Sequence, residues 1–210
     1  MLIDASSYKN LKIIGLETNN FETVAQVAEE IGMDVCDCKI IPEVTKDDMD
    51  TLLDYLKNIA MQTDMIISVE LEKSDVISNV IVFNPKSKKG GKISLHYGEV
   101  YLLAKVVNNP DLIICDDESV IYAVSIINGI CGTDLKIQRT IKYLYSLYSS
   151  KTISAKDFRE YLEKMMCNNI LYFRCPPKDR KDKVVLNVIL EFMDGLILDL
   201  MQTSNLQHTI

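Results

Sequence analysis

Short apolar runs typical of buried strands alternate along this chain with segments of helical periodicity. The strand-like runs include MLI at the start and DLIIC at 111–115. NFETVAQVAEEI (20–31) and HYGEVYLLAKVVNN (96–109) place apolar residues at the three- and four-residue spacing of an amphipathic helix. This alternation predicts an α/β fold with a mainly parallel central sheet.

The rest of the chain to residue 166 continues the alternation. The expected elements are a strand within 33–41, a helix from about Thr45, a hairpin or strand pair formed by MIISVELE (65–72) and VISNVIVF (76–83), and helical segments at 119–128, 134–149 and 155–166. The apolar stretch 184–200 fits a helix, a strand pair or a dimer contact, and periodicity alone does not choose among them.

Composition restricts the class of protein. With 210 residues, 48% hydrophobic and 25% charged, the chain has the make-up of a soluble globular protein. Its apolar runs are shorter than the ~20 residues of a membrane span, and no secretory signal begins it, so we expect a cytoplasmic protein without a membrane partner. The net charge of −7 argues against a protein that coats nucleic acid, although a local basic patch could still hold RNA.

Cysteines and histidines offer little material for catalysis. The six cysteines are Cys36, Cys38, Cys115, Cys131, Cys167 and Cys175. Only the first two lie close together, without a second pair or a nearby histidine to complete a zinc site, so we expect free and mostly buried thiols. The chain has two histidines, His96 and His208, so any chemistry is expected to depend on carboxylates.

Acidic residues follow two of the expected strands. Asp4 ends the first strand, and Asp116 and Asp117 end DLIIC. Carboxyl ends of parallel strands meet at one edge of a sheet, and Glu99 begins the helix that leads into DLIIC. Carboxylates gathered there would repel one another unless a cation neutralised them, and oxygen ligands suit Mg²⁺ or Mn²⁺.

Each of these acids also has a purely structural interpretation. Glu99 can be a favourable acid in the first turn of its helix. Asp116 and Asp117 can be a helix N-cap and its neighbour. Asp4 can accept hydrogen bonds from the backbone of Ser6 or Ser7.

The segment GEVYLLAKVVNNPDLIICDDESVIYAVSIINGICGTDL (98–135) resembles the central half of a PIN domain. It has a Gly-Glu helix start, a strand ending in paired aspartates, a helix and a Gly-Thr turn. LIDAS at the N-terminus and KTISAKDFREYL (151–162) are similar to the family's opening strand and closing helices. The resemblance implies a three-layer α/β nuclease fold.

The same resemblance implies metal-dependent cleavage of single-stranded RNA. Carried over by position, Asp4, Glu99, Asp116 and Asp117 would be the catalytic acids and would hold Mg²⁺ or Mn²⁺. Thr133 would place its hydroxyl nearby, on the substrate side. The family usually has a further acid after its second strand, for which IIPEVTKDDM offers Glu43, Asp47 and Asp48. Asp47 is the preferred match, although these acids can equally decorate the first turn of a helix.

The chain is longer than a compact toxin-type PIN domain. We therefore expect a PIN-like nuclease domain over 1–166, with a β-rich insertion at about 62–95. A C-terminal extension over 167–210 would pack on this domain or form a dimer contact.

Two groups of side chains could contact RNA. NPKSKKGGK carries Lys86, Lys88, Lys89 and Lys92, of which the last three are the favoured phosphate contacts, although a solvated loop explains them as well. Tyr143, Tyr145 and Tyr148 could stack on bases, but their spacing also suits helix packing, which we favour.

These observations favour an endoribonuclease, either the toxin of a toxin–antitoxin pair or an RNA-processing enzyme. Its partners would then be single-stranded RNA and an antitoxin or other protein, and a homodimer is compatible with the apolar tail. The alternative is a PIN-like scaffold that has lost catalysis and acts through protein contacts. A dinucleotide-binding enzyme is disfavoured because no G-x-G-x-x-G follows the first strand.

Overall fold

The computed structural model describes residues 1–71, 79–85 and 93–168, and in these ranges strands and helices alternate as predicted. The strands are β1 (Leu2–Ile3), β2 (Glu22–Thr23), β3 (Lys39–Ile40), β4 (Met65–Leu71), β5 (Asn79–Pro85), β6 (Ile93–Leu95), β7 (Leu112–Ile114) and β8 (Lys136–Gln138). The helices are α1 (Ala5–Ile14), α2 (Ala25–Ile31), α3 (Lys46–Gln62), α4 (Tyr97–Asn108), α5 (Glu118–Cys131), α6 (Thr140–Ser149) and α7 (Ala155–Cys167).

Five of the strands form one parallel sheet in the order β3-β2-β1-β7-β8. Its two central strands are β1 and β7, which pair with Leu2 opposite Ile113 and Ile3 opposite Ile114. The α/β class and the parallel sheet are therefore confirmed, and the architecture is compatible with a three-layer fold.

Both faces of the sheet are covered. Leu2 and Ile113 belong to a buried apolar cluster that includes residues of α3, α4 and α5. Ile3 and Ile114 are fully buried and, because side chains alternate along a strand, point to the other face. Helix α1 packs against α6 and α7, whereas α3 packs against α4 and α5. Burial on both faces explains why these strands are continuously apolar.

The order of the strands reverses between β1 and β7. From β1 the chain moves outward to β2 and β3, and it then returns to β7 on the opposite side of β1 before continuing to β8. In open parallel sheets, ligands bind beyond the carboxyl ends of the strands at such a reversal. Asp4 and Asp116 lie at the two strand ends that flank it.

A second, antiparallel sheet contains β4, β5 and β6 and lies between α3 and α4 in the sequence. The predicted strand pair is confirmed as β4 and β5, with Met65 opposite Pro85 and Leu71 opposite Asn79. Lys86, Lys88, Lys89 and Lys92 lie outside the described residues.

The chain divides into compact units at Met1–Ile170 and Leu171–Ile210. The second unit, and with it most of the extension predicted over 167–210, lies outside the described residues. In the part of the chain that the structure covers, no helix combines the length and the apolar character that crossing a bilayer requires. The five cysteines described there are free thiols, as predicted, but the expectation that most would be buried is wrong, because only Cys38 and Cys115 are.

Several element boundaries differ from the sequence predictions. Helix α1 was not predicted, although Tyr8, Leu11 and Ile14 form its buried side at helical spacing. The segment predicted as one helix over 134–149 contains β8 and then α6. Residues 136–138 form a strand because they pair with β7, and this pairing continues where Cys115 N–H donates to the Gln138 carbonyl at 2.9 Å. Similarly, 20–31 contains β2 before α2.

Gly98 allows α4 to begin in close contact with α2. A Cβ at Gly98 would lie 3.0 Å from Glu30 Oε2 and 3.1 Å from Val27 Cγ2. These distances are shorter than ordinary van der Waals contact, so the side chains of Glu30 and Val27 would have to shift by a few tenths of an ångström to admit a methyl group.

We predict that Gly98→Ala lowers the free energy of unfolding by about 1–3 kcal/mol, measured by urea denaturation. Gly129→Ala is the matched control, because Gly129 lies in α5 with nothing within 4 Å of its would-be Cβ. There the same change should raise stability by about 0.5–1 kcal/mol, since alanine favours helix more than glycine does. Equal effects at the two positions would contradict this account of Gly98.

Candidate metal centre

Asp4 is held at the carboxyl end of β1 by hydrogen bonds to β7 and to the residues that follow it in the chain. Its N–H donates to the Ile114 carbonyl of β7 at 3.2 Å, so its backbone continues the β1–β7 pairing. Its side chain is buried and accepts from Ser6 N–H at 3.2 Å, Ser7 N–H at 3.0 Å and Ser6 Oγ at 2.5 Å. The local capping role of Asp4 is thus confirmed, as the N-cap of α1.

Asp116 joins three parts of the fold. Its Oδ2 accepts from Asn10 Nδ2 of α1 at 2.8 Å and from Thr140 Oγ1 at 2.5 Å. Its Oδ1 accepts from Thr140 N–H, at the start of α6, at 2.9 Å. Asp116 is therefore fixed by donors from elements on both sides of β7.

Asp117 and Glu99 each also stabilise a helix start. Asp117 caps α5 by accepting from Ser119 N–H at 2.6 Å. Glu99 Oε2 accepts from His96 N–H, just before α4, at 2.7 Å. The structural interpretations of both acids are confirmed, and these hydrogen bonds restrict the positions of the two carboxylates.

The charges of these acids act on one another. Burial, and then the charges of Asp117, Asp4 and Glu30, raise the pKa of Glu99 to about 8 from an ordinary value of 4.5. Burial and the charge of Asp116 also raise the pKa of Asp4. Negative charge at this edge of the sheet is thus incompletely compensated by the protein.

Cys115 lies among the same acids. Its thiol is fully buried, and burial together with the charges of Asp4, Asp117 and Glu99 raises its pKa. The thiol therefore stays protonated and serves as a small apolar side chain beneath the carboxylates.

Glu30 of α2 is a member of this group that the sequence analysis missed. Its Oε2 lies beside Gly98 at the start of α4, and its charge contributes to the raised pKa of Glu99. The available signal was the pattern QVAEEI, which places Glu30 three residues after the buried Val27, although an acid at that position is also common on solvent-exposed helix faces.

The structure does not bring Asp47 to the group. Asp48 accepts from Asn108 Nδ2 at 3.0 Å and from Lys105 Nζ at 3.4 Å, and the Asp47 carbonyl also accepts from Asn108. Asn108 and Glu99 are at opposite ends of α4, about 13 Å apart along its axis.

Asp48 instead stabilises the start of α3. Burial alone would raise the pKa of Asp48, but bonds from Asn108 and Thr45 and the charge of Lys105 hold it below its ordinary value. Asp48 and Thr45 form a capping box. The exposed Asp47 and Glu43 lie before or within this first turn, so the helix-start interpretation of these acids accounts for their position.

Thr133, which was predicted to lie beside the acids, is far from them. Thr140 is the threonine that contacts one of them, Asp116. Thr133 Oγ1 donates to Asn128 Oδ1 at 2.6 Å, at the C-terminal end of α5. Asp117 lies at the other end of that helix, about 20 Å away. Thr140 begins α6, two residues after β8 ends at Gln138, and the helical pattern of 134–149 concealed this strand.

The tyrosines of α6 pack within the protein. The Tyr148 and Phe158 rings are stacked with centroids 4.9 Å apart, and Tyr145 meets Phe158 edge-on at 6.3 Å. Tyr143 meets Phe21 edge-on at 5.4 Å. The favoured interpretation of these side chains as helix-packing residues is confirmed.

The donor chemistry of the group fits a divalent cation, although the acids do not form a ready-made coordination cluster. Within the described ranges, no set of three or more His, Cys, Asp or Glu side chains has a metal-holding arrangement. The acids are nevertheless hard oxygen donors; burial first and then the charges of neighbouring acids raise the pKa of Glu99, and Mg²⁺ or Mn²⁺ would relieve the repulsion among them.

Comparisons of this chain with family models, with curated proteins and with solved structures found no match.

We predict that Glu99 makes the metal-free protein less stable as pH rises. Between about pH 4.5 and about pH 8, folded Glu99 keeps a proton that the unfolded chain releases, so its contribution to the free energy of unfolding falls across this window. Glu99→Gln keeps an acceptor for His96 N–H and removes this titration. In EDTA, the stability of the variant relative to wild type should therefore increase from pH 5 to pH 8 in urea denaturation.

Glu17→Gln, at an exposed position, controls for the loss of one negative charge. A Glu99→Gln difference that stays constant with pH would show that Glu99 is ionised throughout and that the acids do not repel one another as described.

We predict that Thr140→Val destabilises the protein more than Thr133→Val. Thr140 is fully buried and donates to the charged Asp116, so its loss should cost about 1.5–3 kcal/mol. Thr133 donates to a neutral, part-buried amide, worth about 0.5–1.5 kcal/mol. Urea denaturation measures both, and an equal or reversed order would contradict the role assigned to Thr140.

Proposed function

We propose that this protein is a PIN-like, metal-dependent endoribonuclease that hydrolyses phosphodiester bonds of single-stranded RNA. One observation carries the proposal. Asp4 follows β1, and Asp116 and Asp117 follow β7, at the carboxyl edge of the parallel sheet where the strand order reverses, and the charges of Asp4 and Asp117 act on Glu99. The order of these acids in the sequence supports the PIN resemblance.

In this proposal, Asp4, Glu99, Asp116 and Asp117 hold Mg²⁺ or Mn²⁺, and Glu30 replaces Asp47 as the additional acid. A bound ion would supply an activated water and charge stabilisation for phosphodiester hydrolysis. Asp4 and Asp117 are oriented by the helix starts that they cap.

Asp116 is oriented by two further side chains. Asn10 and Thr140 donate to it from either side, which fixes the direction of both oxygens. Side chains held in this way lose little freedom when a ligand binds, a requirement for an efficient site. Thr140, rather than the predicted Thr133, is then the hydroxyl residue beside the acids, and its role is to position Asp116.

The second candidate function is a PIN-like scaffold that acts through protein contacts. Asp4, Asp117 and Glu99 each stabilise a helix start, and the fold uses them in that role without any cation. Retention of these acids is therefore compatible with a protein that has lost catalysis.

We predict that purified protein cleaves a mixed-sequence single-stranded RNA with Mn²⁺ or Mg²⁺ and not with EDTA. Asp4→Asn and Glu99→Gln should each lower the cleavage rate at least about 100-fold, because they remove a ligand charge while keeping a hydrogen-bond acceptor at the helix start. Cleavage products on a denaturing gel are the measurement.

Asp47→Asn is the matched control. Asp47 is an exposed acid of α3 that lies beside the end of α4 opposite to Glu99, so its loss should leave cleavage unchanged. Equal cleavage by all variants would indicate a contaminating nuclease and contradict the proposal. Folded protein that binds Mn²⁺ but cuts no RNA would support the scaffold instead.

A further inference from the structure

An exposed ion pair lies at the ends of β7 and β8. The guanidinium of Arg139 pairs with the carboxylate of Glu118, and the two side chains are 42% and 77% exposed. Arg139 directly precedes α6, and Glu118 is the first residue of α5. The pair therefore connects two neighbouring strand-to-helix turns at the same edge of the sheet.

This pair borders the acidic group directly. The residue after Arg139 is Thr140, whose N–H donates to Asp116 at 2.9 Å. The residue before Glu118 is Asp117, the cap of α5. The ion pair therefore adjoins in sequence both Asp117, which is proposed to hold the metal, and Thr140, which donates to Asp116.

An RNA strand that approaches this edge meets several carboxylates, so a cation at the rim is needed to attract its phosphates. Lys12 and Lys105 are engaged elsewhere, with Asp37 and with the buried Asp48. Arg139 has a more exposed and more easily replaced partner. An exposed ion pair contributes little to stability, whereas a guanidinium can bind a phosphate through two parallel hydrogen bonds.

We propose that Arg139 contacts an RNA phosphate beside the site, and that Glu118 holds its guanidinium at the rim until the phosphate replaces it. This inference rests on the proposed function, since it names a substrate contact of the same site.

The test is the binding of a fluorescently labelled single-stranded RNA to the full chain, measured by anisotropy over a series of salt concentrations. Ca²⁺ replaces Mn²⁺, because it also takes oxygen ligands, and a gel verifies that the RNA stays intact. Arg139→Gln should weaken binding about tenfold and reduce the salt slope by about 0.7, the value for one phosphate contact on a single strand. Arg139→Lys should recover part of the affinity, and Glu118→Gln should tighten binding.

Lys57→Gln is the matched control, because Lys57 forms a similarly exposed ion pair with Asp54 on α3. It should leave affinity and salt slope at wild-type values. Wild-type affinity and slope in Arg139→Gln would overturn the inference, as would weaker binding in Glu118→Gln.

Cleavage in Mn²⁺ separates this inference from the proposed function. If wild-type protein cuts RNA and Arg139→Gln cuts equally well at low substrate concentration, the phosphate contact is overturned but the proposed nuclease function is not. RNA binding that depends on Arg139 without any cleavage would support the contact and contradict the nuclease. Wild-type protein that neither binds nor cuts RNA would overturn both.

Discussion

Parallel pairing between β1 and β7 is the interaction on which the candidate site depends. It places Leu2 opposite Ile113 and Ile3 opposite Ile114, so that Asp4 leaves the sheet beside Cys115, one residue before Asp116. Pairing of β7 with β8 then brings Thr140 to Asp116. A shift of β1 by one residue would exchange its buried faces and separate the acids, so packing of the core and geometry of the site are specified together.

The acids combine two roles that have opposite electrostatic consequences. As helix caps, Asp4 and Asp117 stabilise α1 and α5 by accepting backbone N–H groups. As charges near Glu99, they add to the effect of its burial and raise the pKa of Glu99 further. The caps fix the side chains in place, so the repulsion cannot be relieved by rotation into solvent. A divalent cation is the ligand that would convert this repulsion into binding.

Local sequence predicted those parts of the site that follow a clear strand or helix signal. Asp4 and Asp116 were identified because each ends an apolar strand, and Glu99 because it begins a regular helix. Thr140 was missed because β8 is short and its identity as a strand comes from pairing with β7, not from its own periodicity. Glu30 and Asp47 could not be ranked from sequence, since acids on helix surfaces look alike and only the packing of α2 and α3 against opposite ends of α4 separates them.

The central claim is that these separate acids form one cation site, and calorimetric titration of the metal-free protein with Mn²⁺ tests it most directly. The account predicts saturable binding that Asp116→Asn weakens at least about tenfold, because it removes a ligand charge at the centre of the group. Asp111→Asn, which changes an acid at the opposite end of β7, should bind as wild type does. Absence of binding by folded wild-type protein, or equal binding by both variants, would contradict the claim.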